Sequence, residues 1–335
     1  FEHSGQSIWL DYLRPYVEET FVDTYGTAVG VINPGMPYKV VLEAHADEIS
    51  WFVNYISDDG YIYVIRNGGS DFQIAPSMRC NIHCENGNVV KGVFGWPAIH
   101  VRADKNPETK QENIFIDLGC SSKAEVEALG VHVGAVAVFE ADCFWLNETH
   151  LVGRALDNRM GGFMIAEVAR QLSENKDKLP FTVYLVNSVQ EEIGLRGAEM
   201  ISRRLQPDVA IITDVTHDTC SPLYNKKQQG DCKCGKGAVV TYGPAVQNNL
   251  LQSIIGVAKS NEIAIQRNAV SRSTGTDTDS FAYSGMGVAS ALISLPLKYM
   301  HTTVETVHMD DVNSCIQLMY QTVKSLKAGQ TFNYI

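Results

Sequence analysis

Imidazoles and carboxylates at His45, Asp157, Glu191, Glu192, Asp214 and His301 are the side chains from which metal centres are built. In an open α/β sheet, ligands gather beyond the carboxyl ends of the strands, and the hydrophobic pattern puts these residues there. His45 follows an apolar run over 39–44, and Glu191-Glu192 follow one over 182–188. Asp214 follows 209–213, His301 lies beyond 288–294, and Asp157 opens a helix over 157–172. Taken singly, each has an ordinary reading: a structural histidine, a solvated acidic pair, a helix cap. Taken together, three carboxylates and two imidazoles at one sheet edge are costly to bury without cations between them.

Charge balance sets the number of ions. Three ligand carboxylates and one hydroxide carry four negative charges, which two divalent cations neutralise. Two histidines with three carboxylates suit Zn, Co or Mn. Such pairs of ions lie about 3.5–4 Å apart, activate a water and polarise the bond under attack, and a free carboxylate must then move the proton. Neighbouring residues of an extended segment point to opposite sides. One of Glu191 and Glu192 can therefore bind metal while the other faces water, and spacing does not choose between them.

The elements that must hold these residues fall into two patterns. A chain of 335 residues exceeds the roughly 250–300 at which a single core stops growing, so two domains are expected. Up to residue 49 the pattern is α/β, with an amphipathic segment over 8–19 and a strand over 39–44. From residue 50 it becomes β-rich: runs at 51–56 and 61–65 flank Asp59-Gly60, and runs at 81–84 and 89–94 flank Asn86-Gly87, both hairpin signals. Strands at 113–118 and 135–145 follow, separated by a short helix over 123–129 with a capping box at Ser122 and Glu125 and a stop at Gly130. The α/β alternation returns after about residue 149, with a helix over 246–260 and a last one over 311–326. Near-continuous apolar strands imply a largely parallel sheet covered by helices on both faces. The expected fold is thus α/β, formed by 1–49 and 149–335 and interrupted by a small β domain over 50–148.

Composition excludes several partners. A net charge of −11 repels phosphate backbones, and no Lys/Arg stripe is interleaved with aromatics, so nucleic acid is not expected. No run approaches the ~20 apolar residues of a membrane helix. No basic segment followed by an apolar one opens the sequence, and the eight cysteines are too dispersed for a secreted disulfide scaffold. A cytoplasmic location with reduced thiols is the expectation. Cys232-x-Cys234 has no second pair nearby and is read as structural.

Three strings carry a further signal: Ala44-His45-Ala46-Asp47-Glu48, Gly153-Arg154-Ala155-Leu156-Asp157-Asn158-Arg159, and Gln190-Glu191-Glu192-Ile193-Gly194-Leu195-Arg196-Gly197-Ala198. With Asp214-Val215-Thr216, Gly275-Thr276-Asp277 and the stretch 293–304, in that order, the chain resembles the dinuclear aminopeptidases that form tetrahedral dodecamers. That family includes glutamyl, leucyl, lysyl and deblocking enzymes, and some members are labelled endoglucanases. The resemblance implies one ion on His45 and Asp214, the other on Glu192 and His301, and Asp157 bridging them. It makes Glu191 the base and Asp47 the partner of the His45 imidazole's other nitrogen. It also implies that the inserted β domain mediates dimerisation and that short peptides enter an enclosed chamber. Departures occur at Ser271-Arg272-Ser273-Thr274-Gly275, bulkier than the usual glycine-rich loop, and at Thr302-Thr303-Val304-Glu305, where Ser-Pro-Val-Glu is commoner. Both lie near where a substrate's first side chain would sit, so specificity does not transfer.

The expected activity is removal of the N-terminal residue from peptides with a free amine. A carboxypeptidase or deacylase could use much the same ligands, and a non-catalytic assembly protein would have no need of them. Glycoside hydrolysis needs two metal-free carboxylates flanking the bond, and no such pair stands outside this set.

Overall fold

The computed structural model describes residues 2–102 and 109–335; residue 1, and residues 103–108 of the expected insertion, lie outside the described residues. Its organising element is a sheet of eleven strands. Four lie parallel at its centre, in the order Thr182–Ser188, Lys39–His45, Val209–His217 and Ala289–Lys298. Six consecutive residues of Lys39–His45 are buried. Because successive residues face opposite ways, both faces of this strand must be covered. The helices Leu156–Glu174 and Met309–Ser325 pack together against the sheet, while Arg196–Leu205 and Thr278–Ala282 pair with each other against it separately.

The expectation of a largely parallel sheet requires correction. Outside the centre most pairings are antiparallel: Ala28–Ile32 with Thr182–Ser188 and with Glu19–Val22 on one side, then Glu305–His308, His150–Gly153 and Phe144–Trp145 on the other. Ala238–Tyr242 also runs antiparallel to Ala289–Lys298, with Ile265–Ala269 parallel beside it. These flanking strands are two to five residues long, too short for alternation to register. The amphipathic segment read over 8–19 is likewise displaced: the helix is His3–Leu13, and a turn through Arg14–Tyr16 leads into the strand Glu19–Val22. Pro15 fits the first turn of that short helix but could not continue the preceding one, lacking its N–H.

Between the two crossings of the sheet edge the chain builds a closed six-stranded barrel from Ser50–Ile56, Ile62–Asn67, Phe115–Asp117, Val89–Phe94, Arg79–His83 and Val136–Phe139, in that spatial order. Both hairpin turns close as read, with Gly60 at φ +84° and Gly87 at φ +81°. The barrel has its own core around Trp51, whose ring meets Phe72, Phe94 and Phe139. The run read as one strand over 135–145 divides, with Val136–Phe139 closing the barrel and Phe144–Trp145 joining the large sheet. The short helix Lys123–Ala128 is capped by Ser122, whose hydroxyl accepts the Glu125 N–H, while the Glu125 carboxylate accepts that of Ser121. All eight cysteines are free, and among the described residues no helix is long and apolar enough to cross a membrane.

Candidate metal centre

Register brings the site together. In the parallel centre His45 pairs with Ser188 and Glu43 with Ile212, which sets Asp214 level with His45. Both residues belong to their strands, since Lys39–His45 ends on the histidine and Val209–His217 runs three residues past the aspartate. The chain beyond Ser188 turns at once, through Gln190 at φ +60°, to present Glu191 and Glu192 over the same edge. His301 arrives from the turn after Ala289–Lys298, itself at φ +63°. Asp157 stands at the start of Leu156–Glu174 with non-helical backbone angles, and the Asp157–Asn158 peptide is cis.

These side chains converge into two linked groups. The His45 Nε2 lies 3.2 Å from Asp157 Oδ1 and 3.6 Å from Asp214 Oδ1. The His301 Nε2 lies 3.3 Å from Asp157 Oδ2 and 3.3 Å from Glu192 Oε1. Asp157 therefore turns one oxygen to each imidazole. Glu191 is farther out, with Oε2 3.9 Å from His45 Nε2. Each trio, His45–Asp157–Asp214 and Asp157–Glu192–His301, can offer its ligand atoms within 4.8 Å of one another, and so can His45–Glu191–Glu192.

Asp47 has a second contact beside the expected one. Its carboxylate accepts the backbone N–H groups of Glu191 and Glu192 at 2.9 and 3.1 Å, fixing the acidic pair. It also stands 3.4 Å from the buried His45 Nδ1, the nitrogen that the resemblance assigns to it. Glu305, quoted in the sequence only as part of a string, has a comparable double role. It accepts the N–H of Asp157 through Oε2 at 3.1 Å and that of His301 through Oε1 at 2.8 Å. A carboxylate that bonds only to main chain leaves no mark in spacing, so sequence reasoning had nothing to find. Beneath the edge, Ser188 Oγ lies 2.6 Å from Glu43 Oε1 and 2.7 Å from Asp277 Oδ2, both carboxylates being wholly buried.

The electrostatics fit a site built for cations. Burial would lower the His45 imidazole, but the charge of Asp214 and hydrogen bonds to Asp157 and Asp214 outweigh it and raise it well above the ordinary range. His301 is likewise opposed by burial and lifted by Asp157 and Glu192 to about 10. Burial pushes Glu191 up to about 10, against His45 and with Asp214, Asp277 and Glu192. Burial also raises Asp214 to about 6 and, with Asp157, Glu305 to about 7. Asp157 alone is held below the carboxylate range, its two imidazoles prevailing over burial. The donor set, two nitrogens among carboxylate oxygens, is one that could hold divalent metal ions.

Beside Asp157, Glu192 and His301 a small cavity of about 20 Å³ is lined by Ile49, Trp51, Ser70, Phe139, Arg154 and Thr302, among others. Glu48 lies on the same wall, its carboxylate paired with Arg154 and, at 2.7 Å, with Arg159.

Fold and comparisons together define the class as a hydrolase of peptide bonds. Residues 26–318 match the M42 glutamyl aminopeptidase family, and the chain belongs to it. It is 34% identical to a lysyl aminopeptidase of Pyrococcus furiosus over 98% of this chain and 93% of the relative. Among solved structures it resembles a TET aminopeptidase from a marine-sediment thaumarchaeote at 28% identity and a TM-score of 0.93, covering 98% of this chain and 92% of that one. A TET1 peptidase of Pyrococcus horikoshii, described as assembling into a tetrahedron or a large octahedral shell, gives 26% identity and a TM-score of 0.86 over 97% and 95%.

Proposed function

We propose that His45 and Asp214 hold one divalent ion and Glu192 and His301 a second, that Asp157 gives one oxygen to each, and that Glu191 is the general base of an aminopeptidase. The observation that supports this most is the Asp157 carboxylate, whose two oxygens address two different imidazoles at 3.2 and 3.3 Å. When bound, such ions polarise the scissile carbonyl and lower the pKa of a water; Zn or Co suits the ligands best and Mn is admissible. Glu191, set apart from both trios, takes the proton from the attacking water and passes it to the leaving amine. Asp47 holds the Glu191-Glu192 backbone in place, and Glu305 holds Asp157 and His301.

The substrates are short peptides whose free amine meets the acidic edge and whose first side chain lies against the rim of the small cavity. Its walls mix Trp51, Ile49 and Phe139 with the paired Glu48 and Arg154, which leaves the preferred residue open. The chain divides into a catalytic domain, 1–49 with 149–335, and the inserted barrel domain, 50–148, through which dimers form. Homo-oligomers built from such dimers, up to a dodecamer, enclose the sites, and the enzyme works in the cytoplasm. The separate aromatic core of the barrel and the assemblies of the related peptidases support this division.

One peptide offered with a free and with an acetylated terminus tests the reading. Cleavage of the first peptide bond only when the amine is free is expected; equal cleavage of the blocked peptide, or release from its carboxyl end, overturns it.

A further inference from the structure

The turn that follows the barrel strand Ile62–Asn67 lies directly on the metal centre. A side-chain carbon built on Gly69 would fall 2.5 Å from His301 Nδ1 and 2.7 Å from its Cε1, well inside van der Waals contact. Beside it, one built on Gly68 would meet Glu192 Cβ at 3.2 Å. The two residues that form one half of the centre are thus seated against barrel backbone. Gly68 has φ +71°, where a side chain is strained whatever the space, but Gly69 is outside the left-handed region. Its backbone tolerates alanine; only the imidazole forbids it.

Neither side of this contact can retreat cheaply. The turn is tied down by Ser70, whose buried hydroxyl donates to the Ser50 carbonyl at 2.7 Å, and by the Asn67 amide, which donates to Ser50 Oγ at 3.0 Å. Opposite, the His301 N–H is held by Glu305 at 2.8 Å. With both backbones fixed, the remaining freedom is rotation of the imidazole, which would carry Nε2 away from Asp157 and Glu192.

We infer that Gly69 is a positioning residue for His301: the barrel, by offering bare backbone there, sets the imidazole for the second ion without contributing a ligand. The inference rests on the two-ion reading above, and its test separates the two. Co(II) absorption titrations of the metal-free protein should give two equivalents for wild type and for a Gly256→Ala control, where a side chain meets nothing within 4 Å. Gly69→Ala should keep the first equivalent and bind the second about 10–100-fold more weakly, the usual cost of disturbing a residue that orients a ligand. Wild-type affinity for both equivalents in Gly69→Ala overturns the inference, whereas fewer than two in wild type overturns the two-ion reading instead.

A double-mutant cycle on the metal-free protein decides the contact independently of any ion and of how well the single variant folds. Thermal unfolding is compared for wild type, Gly69→Ala, His301→Ala and the pair. Removing the imidazole should restore most of the midpoint that Gly69→Ala loses. An equal loss in both backgrounds, or a double variant as unfolded as Gly69→Ala, overturns the proposal.

Discussion

The two halves of the proposed metal centre are built from different materials. His45 and Asp214 are parts of central parallel strands, side by side in register, and both are nearly inaccessible to solvent. Glu192 and His301 sit on turns; the His301 side chain is 30% exposed and its backbone takes a left-handed conformation that costs about 1–3 kcal/mol for a residue with a side chain. The first half is positioned by the sheet itself. The second is positioned by borrowed contacts: Glu305 from the neighbouring strand, Asp47 on the Glu192 backbone, and the barrel turn. An ion site held by a sheet tolerates change around it, and one held by three external contacts does not.

Breaking the residue common to both halves has the largest expected effect. Asp157→Asn removes the shared anion, so metal analysis should find both ions depleted and peptide hydrolysis at background; retention of one full equivalent would show that the halves are independent. Next is Glu191→Gln, which belongs to neither half. It should keep two ions while turnover falls by ~10²–10⁴, and an active variant would remove Glu191 from its role.

How far the sequence anticipated this asymmetry depends on what each half is made of. Apolar runs located the strands that carry His45 and Asp214, because a strand covered on both faces is written as uninterrupted Val, Ile and Leu. The hairpins at Asp59-Gly60 and Asn86-Gly87 were legible for the same local reason. The antiparallel flanks escaped because His150–Gly153 and Glu305–His308 are four residues each, and their partners are far apart in the chain. The residues that support the second half escaped because their contacts are to main chain: Glu305 to two N–H groups, Asp47 to two more, Gly69 to an imidazole by having no side chain. Asp47 was noticed, but for its place beside the His45 nitrogen rather than for the two N–H groups it accepts.

A smaller effect separates the halves by their supports. Glu305→Gln leaves the strand-borne residues His45 and Asp214 untouched and loosens His301, so calorimetric metal titration should show the weaker of two sites losing about 10–100-fold in affinity with the tighter one unchanged. Equal loss at both sites would mean that Glu305 acts through Asp157 rather than His301.

The smallest expected effect is on pH dependence. In the metal-free protein His301 is raised from 6.5 to about 10, and Glu305 from 4.5 to about 7. For both, the folded state binds protons more tightly than the unfolded one, so stability must fall as pH rises, through about 4.5–7 for Glu305 and 6.5–10 for His301. The thermal midpoint of metal-free protein should therefore drop by several degrees between pH 5 and 9, on the usual few degrees per kcal/mol for a chain of this size. Added metal displaces those protons, so the stabilisation it confers should widen with pH. A midpoint that rises over that range would show that the imidazoles are not the proton holders.

The order in which the chain delivers these residues has a consequence for biosynthesis. His45 is made first, the barrel follows, Asp157 comes after it, and His301 and Glu305 come later still. A nascent chain that stops short of His301 lacks half of the proposed centre, and the barrel whose Gly69 faces His301 has been synthesised well before that histidine emerges. The second half of the proposed site therefore forms against a barrel that has already been made.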